Sequence, residues 1–351
     1  MFRLPEKVTA LKPYDPITGS YAVRLDANES YFDLPQVLKA KIADQIEQIS
    51  FNRYPDPIAT EVVAAFADYY NLSPDCVTAG NGSDEIITLI LGTFMEKGQK
   101  LVTVAPDFSM YGVYASLAEI EVVTVQKEEN LQIDMDKLIA ACQKANAVVF
   151  SNPCNPTSLG IPRTEIIRLI ESAPDCLIIV DEAYMDFWDE TVLDLINKYD
   201  NLMVLRTCSK AIGLAAARMG FAVADPYKTS LLRAAKSPYN CDAISQKICA
   251  TVLQEQSLLR RCCDEIIVQT QRLYAGITEL VRRYPDLLEC VYPPRTNFVF
   301  VKTAYAKEIF EQLEKAGIAV RCFPNGLRIC AGTRREQTLL LSELEQILQP
   351  S

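Results

Sequence analysis

The sequence predicts an α/β protein: a large domain on a mostly parallel sheet flanked by helices, plus a smaller α+β domain from the N-terminal arm and the C-terminal segment. Three observations lead there. The 351 residues are too many for one small core and suit two domains. Near-continuous apolar runs alternate with amphipathic stretches, the pattern of strands covered on both faces by helices. After about residue 240 this alternation gives way to a long helical pattern followed by short strands.

Taken in order, the runs at 100–106, 147–153, 176–184, 201–210 and 218–225 predict buried strands, because little in them is polar enough to face water. Helical patterns lie between and around them at 56–71, 83–97, 107–118, 134–145, 162–172 and 226–236. From "DAISQKICATVLQEQ" to "LYAGITELVRRY" one long helix is expected to bridge to the small domain, where "TNFVFVK", "IAVRCF" and "GLRICAG" read as strands and "AKEIFEQLEKAG" and 334–348 as helices. The expected boundaries are an arm at 1–30 joining the small domain, a large domain at 31–240, and the bridging helix with the small domain at 241–351. There is no repeat, low-complexity tract or flexible linker.

Composition narrows the chemistry. Hydrophobic residues make up 49% and charged residues 23%, ordinary globular values that argue against disorder. The net charge of −10, without a basic run, makes nucleic acid and anionic membrane poor partners. The 12 Cys form no CxxC pair and read as buried thiols in a reducing compartment, with neither a disulfide framework nor a metal expected. The start lacks a signal-peptide core and no apolar run approaches a membrane span, so a cytoplasmic protein is expected. His is absent. That excludes Ser-His-Asp and Cys-His catalysis and leaves proton transfer to Lys, Asp, Glu, Tyr or Cys.

In open α/β sheets ligands sit at the carboxyl ends of the strands, and unusual polar residues fall there: Asn155, Asp181, Lys210 and Arg218, spaced by 26, 29 and 8 residues. "AGNGSDEIITLIL" (79–91) opens a helix from a Gly-rich turn. It reads as a plain capped loop or as a phosphate site with Ser83 as N-cap or ligand. Asp181 ends an apolar strand, so its charge needs a partner: an ion pair, a helix cap, or the protonated pyridine nitrogen of a cofactor. Lys210, between Thr207, Ser209 and a stretch of small residues, is either a surface lysine whose stem packs down or the anchor of a flat ligand. In the second case Thr207, Ser209 and Arg218 would hold a phosphate.

"SNPCNPTS", "VDEAYMDF" and "RTCSKAIGLAAARMGF", in that order, resemble fold-type I pyridoxal-phosphate enzymes of the aminotransferase class. "LDANES", "RYPDP", "GNGSDEII", "PDFSMY" and "GLRICAGTRRE" resemble more narrowly the histidinol-phosphate aminotransferases, over residues 9 to 345. The resemblance implies pyridoxal 5'-phosphate as cofactor. Lys210 would hold it as a Schiff base and then shuttle a proton. Asp181 would pair with the pyridinium nitrogen, Tyr184 and Asn155 would bond the ring oxygen, and Tyr111 would stack on the ring. Ser83, Thr207, Ser209, Arg218 and backbone N–H groups near Gly82 and Asp84 would hold the phosphate. Arg321 and Arg328, helped by Tyr14 and Asn155, would take the substrate's anionic group. Tyr54 would reach the partner's cofactor in a homodimer, adding to both cofactor and substrate contacts.

The implied reaction is transamination of L-histidinol phosphate with 2-oxoglutarate in histidine biosynthesis. Threonine-phosphate decarboxylation and aromatic amino acid transamination share part of the motif set and remain open. Departures from the family pattern are Ser158 and Ala216 where Gly is usual, and Cys241 with Asp242 after Asn240.

Overall fold

The computed structural model describes residues 2–9, 11, 13 and 17–349. Its strands in chain order are β1 (Val23–Arg24), β2 (Val77–Asn81), β3 (Lys100–Ala105), β4 (Glu121–Gln126), β5 (Ala147–Ser151), β6 (Leu177–Asp181), β7 (Leu202–Thr207), β8 (Met219–Val223), β9 (Cys290–Val291), β10 (Phe298–Lys302), β11 (Ile318–Ala319), β12 (Arg321–Phe323) and β13 (Gly326–Cys330). Its helices are α1 (Glu6–Thr9), α2 (Gln36–Glu47), α3 (Thr60–Tyr70), α4 (Gly82–Phe94), α5 (Met110–Leu117), α6 (Met135–Cys142), α7 (Arg163–Ser172), α8 (Pro226–Ala235), α9 (Ala243–Leu253), α10 (Gln256–Arg283), α11 (Ala306–Lys315) and α12 (Arg334–Leu348).

Seven strands form one sheet in the order β2-β8-β7-β6-β5-β3-β4. All pairings are parallel except those of β8, which runs antiparallel to β2 and β7. The two faces read off the sequence by alternation. Phe150, Ile178, Val180, Val204 and Phe221 pack into the core beneath α3, α7 and α9. Val149, Ile179, Met203, Leu205 and Ala222 pack on the other face beneath α4 and α5. Both faces are covered, as the continuous apolar runs require.

The smaller sheet has the order β12-β13-β10-β9 and packs with α10, α11 and α12 around Leu273, Ile277, Phe298, Leu313 and Leu340. The N-terminal arm packs alongside through β1, which pairs in parallel with β11 in a separate two-stranded sheet.

The expected single bridging helix is instead two, α9 and α10, broken at Gln254–Glu255, where Glu255 leaves helical geometry at φ −88°, ψ 45°. The sequence offers no Gly or Pro there. The break does not coincide with the change of core: Leu259 in α10 still packs under the large sheet with Cys249, Ala250, Val252 and Leu253, and the chain passes to the smaller cluster at Cys263 and Ile266. Strands β2 and β4 and helix α2 carry too weak an apolar pattern to predict; β4 buries no residue fully. Among the described residues no helix is long and apolar enough to cross a membrane.

Candidate active site

The antiparallel direction of β8 decides the geometry of the site. Its start pairs with the ends of β2 and β7 through Asn81↔Met219 and Thr207↔Gly220. Arg218, just before β8, therefore stands on the rim formed by the ends of β2, β5, β6 and β7. Gly82, Ser83, Asp84, Asn155, Asp181, Thr207, Ser209 and Lys210 follow or end those strands.

Lys210 is half-buried, and its Nζ donates to the carbonyl of Ala27 in the N-terminal arm at 3.2 Å. Loss of hydration pulls its pKa down to about 8, partly offset by the nearby Cys330 sulfur, because burial disfavours the charged amine. Asp181 is buried, and burial pushes its pKa up to about 6 even though Tyr111 and the Ala183 amide favour the carboxylate. Tyr111 Oη donates to Asp181 Oδ2 at 2.7 Å and the Ala183 amide to Oδ1 at 3.1 Å. The Tyr111 ring is fully buried, edge-on to Phe108 at 5.4 Å. Tyr184 lies with its ring 5.8 Å from Lys210 Nζ, and its hydroxyl accepts from Asn28 Nδ2 at 2.8 Å. Burial raises the Tyr184 pKa against the opposing pull of Arg328 and Asn28.

At the phosphate end the fold leaves a cradle that only glycine permits. A Cβ on Gly220 would sit 2.5 Å from the Gly82 carbonyl carbon and the Ser83 amide nitrogen. A Cβ on Gly82, itself at φ +80°, would sit 2.7 Å from Arg218 Nη2. Helix α4 starts at Gly82 with Asn81 as a cap that makes no side-chain bond. The N-cap expectation for Ser83 is therefore corrected: Ser83 is the second helical residue, and the first-turn amides stay open to an anion. Arg218, in left-handed geometry at φ 50°, lies 3.6 Å from Asp84, which also accepts from Tyr114 at 2.9 Å. Thr207 Oγ1 accepts from the Ser209 amide at 3.1 Å.

On the small-domain side, Arg321 and Arg328 are directly paired across β12 and β13, so their side chains share one face. Arg328 is buried, donates from Nη1 to Asn155 Oδ1 at 2.5 Å and from Nη2 to the Asp26 carbonyl at 2.6 Å, and leaves Nε without a partner. Tyr54 stands apart, 80% exposed and stacked on Tyr239 at 4.4 Å. Tyr14 lies outside the described residues.

The donor set fits pyridoxal phosphate: a lysine amine of lowered pKa, a buried carboxylate without a cation, a phosphate-sized cradle of amides, and a buried arginine nitrogen left open. A model of the family "Aminotransferase class I and II" matches residues 21–344. The chain belongs to that family.

It is 38% identical over 332 residues to a histidinol-phosphate aminotransferase of Clostridium novyi (strain NT), covering 93% of this chain and 91% of that one. It is 36% identical over 334 residues to one of Chlorobaculum tepidum, covering 93% and 94%. Among solved structures, histidinol-phosphate aminotransferase from Sinorhizobium meliloti, in complex with pyridoxal-5'-phosphate, superposes with a TM-score of 0.86 at 23% identity, covering 99% of this chain and 98% of that one.

The departures from the family pattern have local reasons. Ser158 keeps the left-handed turn at φ 62°, and its hydroxyl bonds Thr296 at 2.6 Å and accepts from the Arg295 amide at 3.0 Å. Ala216 is exposed. Asp242 caps α9 by accepting from the Ser245 amide, and Cys241 is buried.

Sequence reasoning missed the network under the site. Buried Arg206 binds Glu182 at 2.8 Å and Asp186 at 3.2 Å, and Tyr70 donates to Asp186 at 2.9 Å. Asn28 was missed as well. The acidic "DEAYMD" in a buried segment signals that a cation must come from elsewhere, but not which one.

Proposed function

We propose that this protein is a pyridoxal-phosphate-dependent transaminase that moves the amino group of L-histidinol phosphate to 2-oxoglutarate, giving imidazole acetol phosphate and glutamate, in histidine biosynthesis. Pyridoxal phosphate, when bound, supplies an electron sink beside the amino-bearing carbon. Lys210 is the anchoring amine, and its lowered pKa keeps a free base available near neutral pH. With the cofactor bound and substrate in place, Lys210 Nζ would be the group that takes the proton from the substrate carbon. Asp181 would pair with the pyridine nitrogen, Tyr184 and Asn155 would bond the ring oxygen, and Tyr111 would orient Asp181 and border the ring. Ser83, Thr207, Ser209, Arg218 and the Gly82–Asp84 amides would hold the phosphate.

The observation that carries the substrate class is buried Arg328, bonded to Asn155 with its Nε left open and paired across the strands with Arg321. Paired guanidinium groups read phosphate and carboxylate alike, as a substrate phosphate and a glutamate side chain demand in turn. The names of the relatives favour histidinol phosphate among such donors. A homodimer in the cytoplasm completes the reading, with exposed Tyr54 reaching the partner's site.

The test is a half-reaction on the cofactor-loaded protein with histidinol phosphate, phosphothreonine or phenylalanine added singly. Rapid conversion to the pyridoxamine form with histidinol phosphate alone is expected. Carbon dioxide release from phosphothreonine, or a preference for phenylalanine, overturns the assignment.

A further inference from the structure

Behind the turn that carries Asn155 lies a second group of reactive side chains, which the transaminase reading does not use. Lys127 follows the end of β4, and its Nζ donates to Cys154 Sγ at 2.9 Å. Cys154 is 3% exposed, and its sulfur lies 3.9 Å from Asp107 Oδ1 and 3.7 Å from the Pro106 carbonyl. Asp107 accepts from the Ser151 amide at 3.0 Å and from the Ser151 hydroxyl. Burial opposes the charge on Lys127, but the Cys154 sulfur and Asp107 outweigh it and hold its pKa above the ordinary value. Burial pushes the Asp107 carboxyl up against the pull of Lys127.

A lysine amine turned inward is rare without a carboxylate partner, and here its hydrogen bond goes to sulfur. Most buried cysteines are inert because they sit among apolar groups. Cys154 instead has an amine in contact and a carboxylate next to it. The 2.9 Å separation is too long for a direct N–S bond and suits one bridging atom.

We propose that Lys127 and Cys154 form a peroxide-sensitive pair that closes into a covalent N–O–S bridge. One hydrogen peroxide oxidises the thiol to a sulfenic acid and leaves as water, with Asp107 placed to take the thiol proton. Oxidation of the sulfur removes the charge that helps to hold Lys127 protonated, burial then favours the free amine, and a second peroxide oxidises that amine to a hydroxylamine and again leaves as water. Condensation of the two forms the O–S bond and expels a third water. In sum, R–NH2 + R′–SH + 2 H2O2 gives R–NH–O–S–R′ + 3 H2O; nitrogen and sulfur each lose an electron pair, and each peroxide gains one. Thiol reductants reopen the bridge. It ties the end of β4 to the residue preceding Asn155, whose side chain holds Arg328. The pair stands independently of the substrate assignment.

The test treats the cofactor-loaded protein with dilute hydrogen peroxide, blocks remaining thiols, digests with trypsin and analyses the peptides by mass. The expected product joins the peptide containing Lys127, uncleaved after that residue, to the peptide 145–163 containing Cys154. Its mass exceeds the sum of the two by one oxygen less two hydrogens, and dithiothreitol separates them. Lys127→Arg and Cys154→Ser, checked for wild-type melting behaviour, lack the product. Normal cleavage after Lys127 with Cys154 recovered as thiol, sulfinic or sulfonic acid overturns the proposal.

Discussion

At the scale of single residues, Lys210 and Asp181 are tuned in opposite senses by the same cause. Burial makes the amine a weaker base and the carboxyl a weaker acid, and among the described residues neither is in a salt bridge. The sign for Asp181 follows from linkage. Its pKa of about 6 lies above the unfolded value of about 3.9, so between those limits the folded state holds a proton that the unfolded state has lost. Stability of the cofactor-free protein should therefore fall as pH rises through that window, by at most about 3 kcal/mol. Urea denaturation at pH 4 and pH 7 should show this component in the wild type and its loss in Asp181→Asn; equal pH slopes would contradict the assignment. Asp181, Lys210 and Arg218 stand out in the sequence because a charged residue at the end of an apolar run demands an explanation. Asn28 was not, because its role depends on the arm folding across the site to meet Tyr184. The hydroxyl of Tyr111 was not either, because which partner a buried tyrosine finds depends on packing.

At the scale of elements, the phosphate cradle depends on how closely β8 passes the first turn of α4. Gly220→Ala would force a methyl against the Gly82–Ser83 peptide, and the start of α4 would have to move. Cofactor affinity should drop at least tenfold, measured by titrating the cofactor-free protein with pyridoxal phosphate, while urea stability changes by only about 1–3 kcal/mol. The network beneath is the opposite case, with stability at stake before affinity. Arg206→Met leaves the Glu182 and Asp186 carboxyls without their cation, and a loss of about 3–5 kcal/mol is expected in the same denaturation assay. The parallel strands β3, β5, β6 and β7 were legible because both of their faces are apolar. The edge strand β4 and the short β2 were not, since only hydrogen bonding to their neighbours makes them strands. The break between α9 and α10 escaped because no Gly or Pro marks Gln254–Glu255.

At the scale of the whole molecule, Tyr54 is an aromatic side chain that the single chain does not cover. If it completes the partner's site, Tyr54→Ala and Lys210→Ala subunits, each inactive or nearly so, should rescue one another. Dissociating and reassociating them in equal amounts should restore about a quarter of wild-type activity, because half the dimers are mixed and each mixed dimer has one intact site. Activity no greater than the sum of the separate variants would show that the sites are not shared. The change of texture near residue 240 suggested a second layer there, but α9 beyond it still packs under the large sheet. The joining of β1 to β11 was expected only through the arm, since a two-residue strand leaves no pattern.

The bond from Lys210 to the Ala27 carbonyl has a consequence for the order of events. The arm is fastened to β11 four residues earlier, at Val23, and the Asp26 carbonyl is fastened to Arg328. The stretch holding the amine is thus the stretch that grips the arginine. A displacement of the small sheet from the large one would therefore pull on Ala27 and on Arg328 together, so the position of the amine and that of the guanidinium are mechanically tied through one short piece of chain.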